Sequence, residues 1–392
     1  PEEVAAAYGG QAPVFGEDYI IPAPFDPRLM DVVSAAVAKA AMDSGVAQKP
    51  IDDLDMYRQP LKARLNPTTS VLTQVYEKAR QAPKRVVFAE AEEDVVLRAA
   101  IMFRDGGYGV PVLVGRDEKV HAKLKELGVN DVESFEIHNS RTSPLVPDMV
   151  EMLYQRQQRK GAMRRDIKRM VNQERNIFGS ALLKLGQAEA MITGVTRTFS
   201  QTLRDVSKVV DPLPRRTAFG IHVMVGKSHT VFMADTTVNE RPSAEALAYI
   251  AEQTAAVARR MGHDPRAAFL SYSTFGNPPG NWLANIRDAV AILDSRQPGF
   301  EYEGEMAPDV ALNPKLMAQY PFCRLSGPAN ILIMPGLQSA NLGAKLLREL
   351  GGDQVIGPML VGMERPVQIA TMASSSSELV TLAVLAAAGI VE

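Results

Sequence analysis

The sequence predicts an α/β fold preceded by an extended and helical arm. Three observations carry this. From Lys84 onward, short β-branched runs alternate with amphipathic stretches of helical period, the pattern of layered α/β structure. The first 65 or so residues are of a different character, punctuated by proline and too poor in apolar surface to bury a core alone. A length of 392 residues at 46% hydrophobic and 22% charged is enough for two or three ordinary globular domains.

Taken in order, residues 15–29 form an extended segment broken by Pro22, Pro24 and Pro27. A helix follows, with Val33, Val37, Ala40 and Ala41 at helical spacing, and ends around Gly45. Residues 65–70 read as a linker whose Ser70 caps a helix over 71–81. Strands are expected over 85–89 and 111–115, with a helix over 90–106 between them. A long polar helix is expected over 143–184, then strands over 190–193, 230–234, 267–271 and 330–334. His222 and His229 alternate with apolar residues in a β-hairpin around Gly226 and read as surface or packing positions. The helix over 243–261 places Leu247, Ile250, Thr254, Val257 and Ala258 on one side. The apolar run 379–391 is too short to span a bilayer and reads as a buried helix.

Composition excludes several function classes. A net charge of −2 gives no reason to expect a nucleic-acid or anionic membrane partner. The lone Cys323 excludes an internal disulfide framework and any Cys-based metal site, which suits a reducing cytoplasm. Five scattered histidines lack ligand spacing, so no metal is expected. No G-x-G-x-x-G stands between a strand and a helix, so no dinucleotide fingerprint is present. The chain opens on Pro1 within a stretch of helical character and is expected to be a piece of a longer one.

Two loops could meet a phosphate ester. Residues 194–204 follow a strand and open a helix with hydroxyls, Arg197 and Arg204, where backbone N–H groups and guanidinium can converge. The bland alternative is a Thr-capped helix with solvated arginines. Residues 271–277 combine small hydroxyls with Gly276, which lets backbone approach an anion closely, or form a plain strand-to-turn segment. Asp235 and Asn239 are expected to fix a loop through Asx-type hydrogen bonds. The basic residues Arg156, Arg159, Lys160, Arg164, Arg165, Lys168 and Arg169 read as a solvated face.

From Gly304 the chain reads G-E-M, then L-S-G-P-A-N-I-L-I-M-P-G-L-Q-S-A-N-L, then G-P-M-L-V-G-M-E-R-P-V-Q-I-A-T-M-A. This resembles the C-terminal half of phosphotransacetylases, which exchange acetyl between phosphate and coenzyme A. Gly194, Thr198, Thr202, Leu203 and Arg204 match the family's G-A-x-H-T-T-A-D-T-L-R, and 271–277 resembles its S-F-S-T-K-G-S, with Phe275 where Lys often stands. The resemblance implies two α/β lobes facing a cleft, of the phosphotransacetylase and isocitrate-dehydrogenase kind, over 71–216 plus 365–392 and over 217–364. It places the family's catalytic Ser on Thr371, its Arg on Met372 and its Asp on Glu378, so no catalytic residue is retained. It implies an acetyl-CoA site at Arg197, Thr198, Arg204, Tyr272, Ser273, Thr274, Asn330, Asn341, Thr371 and Met372.

Residues 18–29, D-Y-I-I-P-A-P-F-D-P-R-L, and 36–47, A-V-A-K-A-A-M-D-S-G-V-A, resemble the end of the NADP-dependent malic enzyme domain of bacterial hybrid enzymes. Residues 1–65 are then the tail of that domain and a linker. Together the resemblances imply an acetyl-CoA-binding regulatory part of a malic enzyme, with acetyl-CoA or CoA as ligand. NADP and the divalent metal of malate oxidation are expected in a catalytic domain outside this chain, which is a further partner, alongside a second copy in a homodimer or higher oligomer. A working phosphate acetyltransferase and a domain serving only assembly are the alternatives.

Overall fold

In the computed structural model, the described residues are 28–51, single positions between 53 and 61, and 67–391 apart from 215, 227–228, 281–282 and 352–353. Most of the extended segment expected over 15–29, and residues 65–66 of the expected linker, lie outside them, while linker residues 67–70 are helical. The chain divides into two units, 1–72 and 73–392.

In the first unit, α1 (Arg28–Asp43) ends where Gly45 adopts φ 74° and Val46 N–H returns to Ala41 O. Its inward side centres on buried Ala35, with Ala38 and Met42 at helical spacing, while Val33 and Val37 face outward. The expected valine stripe is therefore the exposed one. The next helix, α2 (Pro67–Gln81), spans the unit boundary. It begins before the expected position, with Pro67 in the first turn where a missing N–H costs nothing, so Ser70 lies inside the helix.

The second unit holds two sheets. The first is parallel, in the order β11-β4-β1-β2-β3. Its parts are β1 (Lys84–Phe88), α3 (Asp94–Asp105), β2 (Gly109–Val114), α4 (Asp117–Glu126), β3 (Glu136–His138), α5 (Val146–Gln157), α6 (Arg164–Gln173), α7 (Arg175–Lys184) and β4 (Ala190–Thr193). The single helix expected over 143–184 is three. Gly161, at φ 87°, ends the first, and the extended backbone of Glu174 separates the other two. The breaks let Met149 and Leu153, then Ile167 and Val171, then nearly all of α7 turn into one core under the sheet. Likewise α3 starts at Asp94, because residues 90–93 turn at the end of β1.

After α8 (Phe199–Val206) the chain crosses to the second sheet, ordered β10-β5-β6-β9-β7-β8. It comprises β5 (Phe219–Val225), β6 (Thr230–Ala234), α9 (Ala244–Arg260), β7 (Arg266–Leu270), α10 (Ala284–Arg296), β8 (Glu301–Met306), α11 (Pro308–Leu312), α12 (Pro314–Met317), β9 (Ile331–Ile333), α13 (Leu337–Leu350) and β10 (Gln354–Val361). The β5–β6 pair is the expected hairpin. Strand β8 escaped sequence reading because E-Y-E-G-E-M is acidic; Glu303 and Glu305 are buried in it only because Arg324 and Arg287 pair with them.

The chain then returns to the first sheet, where β11 (Val367–Ile369) pairs with β4, and α14 (Ser376–Ala387) packs its buried face on α3 and β4. The two crossings run beside each other. Leu213 N–H donates to Gly362 O at 2.8 Å and Glu364 N–H to Asp211 O at 3.0 Å. Gln368 closes the junction. Fully buried on β11, it donates Nε2–H to Leu360 O and accepts Leu360 N–H at Oε1, both at 2.9 Å, bridging the edge strands of the two sheets.

Candidate functional site

Parallel strands deliver their following loops to one edge of a sheet, and ligands of open α/β sheets bind there. On the first sheet, β4 and β11 end side by side, with Ala370 N–H on Thr193 O at 2.7 Å. Gly194, at φ 115°, lies so close that a Cβ would stand 2.4 Å from Ala370 O. The 194–204 segment and the Thr371–Met372 turn are thereby brought together.

The interior of the 194–196 loop is already filled. Glu90, 1% exposed, accepts the N–H groups of Gly194 and Val195 at 2.8 Å and of Thr196 at 3.2 Å, together with the Thr196 hydroxyl. Those donors do not face outward for a phosphate, contrary to the sequence-based expectation. Arg197 is likewise engaged, by Glu174 at 2.5 Å and Asp205 at 2.8 Å. Arg204 is exposed and makes no hydrogen bond or ion pair among the described residues. Thr198 holds the N-cap position of α8 without a side-chain capping bond, 3.5 Å from the Ser200 hydroxyl.

In the following turn, Thr371 N–H donates to Ser374 Oγ at 3.1 Å, and the two hydroxyls lie 3.0 Å apart. Met372 is 61% exposed. Glu378 closes a capping box on α14, accepting Ser375 N–H at 2.6 Å. Its carboxylate is committed to the helix end.

On the second sheet the 271–277 loop folds around Glu305. This carboxylate, 1% exposed, accepts Gly276 N–H at 2.8 Å, the Ser273 hydroxyl at 3.2 Å and both arms of Arg287 at 2.6 and 2.7 Å. Burial alone would raise its pKa, but the hydrogen bonds from Arg287 and Gly276 hold it below the ordinary carboxylate range. Thr274 Oγ1 accepts Ala307 N–H at 3.0 Å, while Tyr272 is exposed. Phe275, at φ 48°, packs against Tyr320 and Phe322 with ring centroids 5.3 and 4.9 Å away.

Asp235 does what its spacing predicts. It accepts N–H groups of Gly220, Thr237 and Val238 at Oδ1, and of Asn239 at Oδ2. Val238 of this loop packs on the same core as Phe199 and Leu203 of α8, so the two segments lie where the sheets join. Asn341 sits on α13 rather than in a turn, and donates to Thr236 O at 3.1 Å. Thr236 also meets His222 Nδ1 at 2.8 Å, and burial, then the Arg348 charge, push His222 down to about 4. Asn330 precedes β9 and sits at the opposite sheet edge from the 271–277 loop, spent on Asp264 O and Arg266 N–H. It leaves the candidate set. Of the basic run, Arg156, Arg164 and Arg169 form ion pairs; Arg159, Lys160, Arg165 and Lys168 form none among the described residues, as a solvated face would.

The sequence profile described as phosphate acetyl/butaryl transferase matches residues 70–387. The chain belongs to that family. It is 30% identical over 321 residues to a phosphate acetyltransferase of Clostridium acetobutylicum, covering 80% of this chain and 96% of that one. A solved phosphotransacetylase from Streptococcus pyogenes superposes with a TM-score of 0.77 at 30% identity, covering 82% of this chain and 98% of the other. Over 99% of its length the chain is also 48% identical to an NADP-dependent malic enzyme of Rhizobium meliloti, of which it covers 51%. The chain thus spans about half the length of the malic enzymes it matches. The α/β fold is similar to that of the family's solved structures.

Sequence reasoning missed Glu90, Glu305 and Arg287. An acid directly after an apolar run, as in V-V-F-A-E, was the available signal for the first. Among the described residues no helix is long and apolar enough to cross a membrane, and no His, Cys, Asp and Glu group could hold a metal.

Proposed function

We infer that this family member binds acetyl-CoA as a regulatory ligand of an NADP-dependent malic enzyme and does not itself transfer acetyl groups. Met372 carries the reading. Acetyl transfer needs a cation or strong donors aimed at the developing oxyanion and the departing phosphate, and a base for the thiol. At the position of the family's Arg stands an exposed thioether, which offers neither. Losing one such donor costs about 10²–10³ in rate. Glu378, where the family's Asp falls, is engaged in its capping box. A thioether beside a thioester packs well instead.

Arg204 is the group for the nucleotide phosphates, because Arg197 is held by two carboxylates. Thr371, Met372, Tyr272 and the adjoining loop surfaces line the acyl and pantetheine path. In the whole protein, malate oxidation to pyruvate with NADP and a divalent metal belongs to a cytoplasmic enzyme whose catalytic domain lies outside this chain. That domain responds to acetyl-CoA only if it prefers one arrangement of the lobes, since a ligand shifts an equilibrium by its differential affinity alone. A second copy docks on α13, where Leu342, Leu346, Leu347 and Leu350 are exposed along one side.

The same free guanidinium on Arg204 favours the second reading, an active phosphate acetyltransferase. Calorimetric titration with acetyl-CoA and CoA, beside an assay of acetyl phosphate plus CoA, separates the two. Binding without turnover is expected. Robust acetyl-CoA formation would sink the first reading.

A further inference from the structure

Glu90, like Asp235, is a buried acid held by backbone N–H groups. Glu305 is answered by Arg287, whereas Glu90 has no cation partner among the described residues. Its charge is balanced by three consecutive backbone N–H groups and one hydroxyl, which is an anion nest with the anion supplied by the chain. Burying a carboxylate is costly unless charge-assisted hydrogen bonds compensate the water it loses. What these hold is the loop that leads directly into Arg197, Thr198 and the helix bearing Arg204. Through Gly194 the same loop packs on Ala370, next to Thr371 and Met372. One carboxylate therefore sets both halves of the first-lobe rim.

We propose that Glu90 is a positioning residue for ligand binding: its carboxylate is the resident anion of a nest at 194–196, and the nest takes a small free carboxylate once the side chain is cut back. The inference rests on the acetyl-CoA reading of the cleft. Titration of the full chain with acetyl-CoA tests it, using wild type, Glu90→Ala and Glu90→Gln, with formate or with chloride at equal ionic strength. Glu90→Ala is expected to bind acetyl-CoA roughly ten- to a hundredfold more weakly, the cost of re-ordering the loop on binding. Formate should restore most of that affinity and raise the melting temperature of this variant alone, and chloride should do neither. Glu90→Gln keeps the size but presents a donor to donors, so it should bind weakly and resist rescue. Wild-type affinity in Glu90→Ala, or formate acting no better than chloride, overturns the proposal. If Glu90→Ala does not fold, wild-type affinity in Glu90→Gln overturns it. If wild type fails to bind acetyl-CoA, the functional reading falls instead, and the nest is then judged by formate-dependent melting of Glu90→Ala: stabilisation supports it and its lack refutes it.

Discussion

Replacing Gln368 with Leu keeps the volume and removes the amide that bridges the two sheets. Gln368 is fully buried and Leu360 is 2% exposed, so water cannot take over either hydrogen bond. The variant leaves one buried N–H and one buried C=O bare, each costing about 1–3 kcal/mol. The extra apolar burial of Leu offsets about 1 kcal/mol. A net loss of about 1–5 kcal/mol is expected, a large share of the roughly 5–15 kcal/mol that holds a domain together. Urea unfolding followed by far-ultraviolet circular dichroism should show a lower midpoint with little change in slope. Hydrogen exchange at the Leu360 amide should accelerate as well, because it loses its acceptor. A midpoint within about 0.5 kcal/mol of wild type, the range of inert surface changes, would refute the reasoning and mean that the junction is held by the crossing backbone alone.

Other outcomes follow from the same geometry. Arg204→Ala should weaken acetyl-CoA binding by an amount matching one charge-assisted hydrogen bond, about 1.5–3 kcal/mol, and unchanged calorimetric affinity would move the phosphates elsewhere. The Glu92 carboxyl is held at about 2 by hydrogen bonding from Arg116, against its own burial and with help from the Arg175 charge. Its folded value lies below the unfolded one, so the stability this group contributes is present at neutral pH and is lost as pH falls from about 5 toward 2. Glu92→Gln should flatten that acid limb in pH-dependent unfolding, and an unchanged limb counts against it. Leu346→Asp on the exposed side of α13 should shift light-scattering mass toward the monomer, and an unaltered mass would exclude that face.

Much of the frame was legible because burial imposes period. Residues 86–89, 190–192 and 231–234 are apolar on both faces, as strands inside covered sheets must be, and the Asp235 loop follows from Asx chemistry. Strand β8 was hidden by its glutamates, whose arginine partners are 18 and 21 residues away in sequence. The three-helix division of 143–184 turned on one glycine and one extended Glu174, which polarity masks. At the site, chain proximity misled: hydroxyls and N–H groups that look available in 194–196 and 271–277 are consumed by carboxylates delivered from β1 and β8. Nothing local announces which donors a distant acid will claim.

The return of the chain to the first sheet has a consequence for synthesis. Strands of the second sheet come from one uninterrupted stretch, so that sheet can assemble once residue 361 has left the ribosome. The first sheet cannot. Its β11 edge and the apolar helix that packs on α3 and β4 are made more than 170 positions after β4. During that interval the earlier-made half waits with an open edge and a bare apolar face, the kind of surface that chaperones bind and that aggregates when they do not. A ribosome stalled before residue 367 would therefore display one finished sheet and one that is still adhesive.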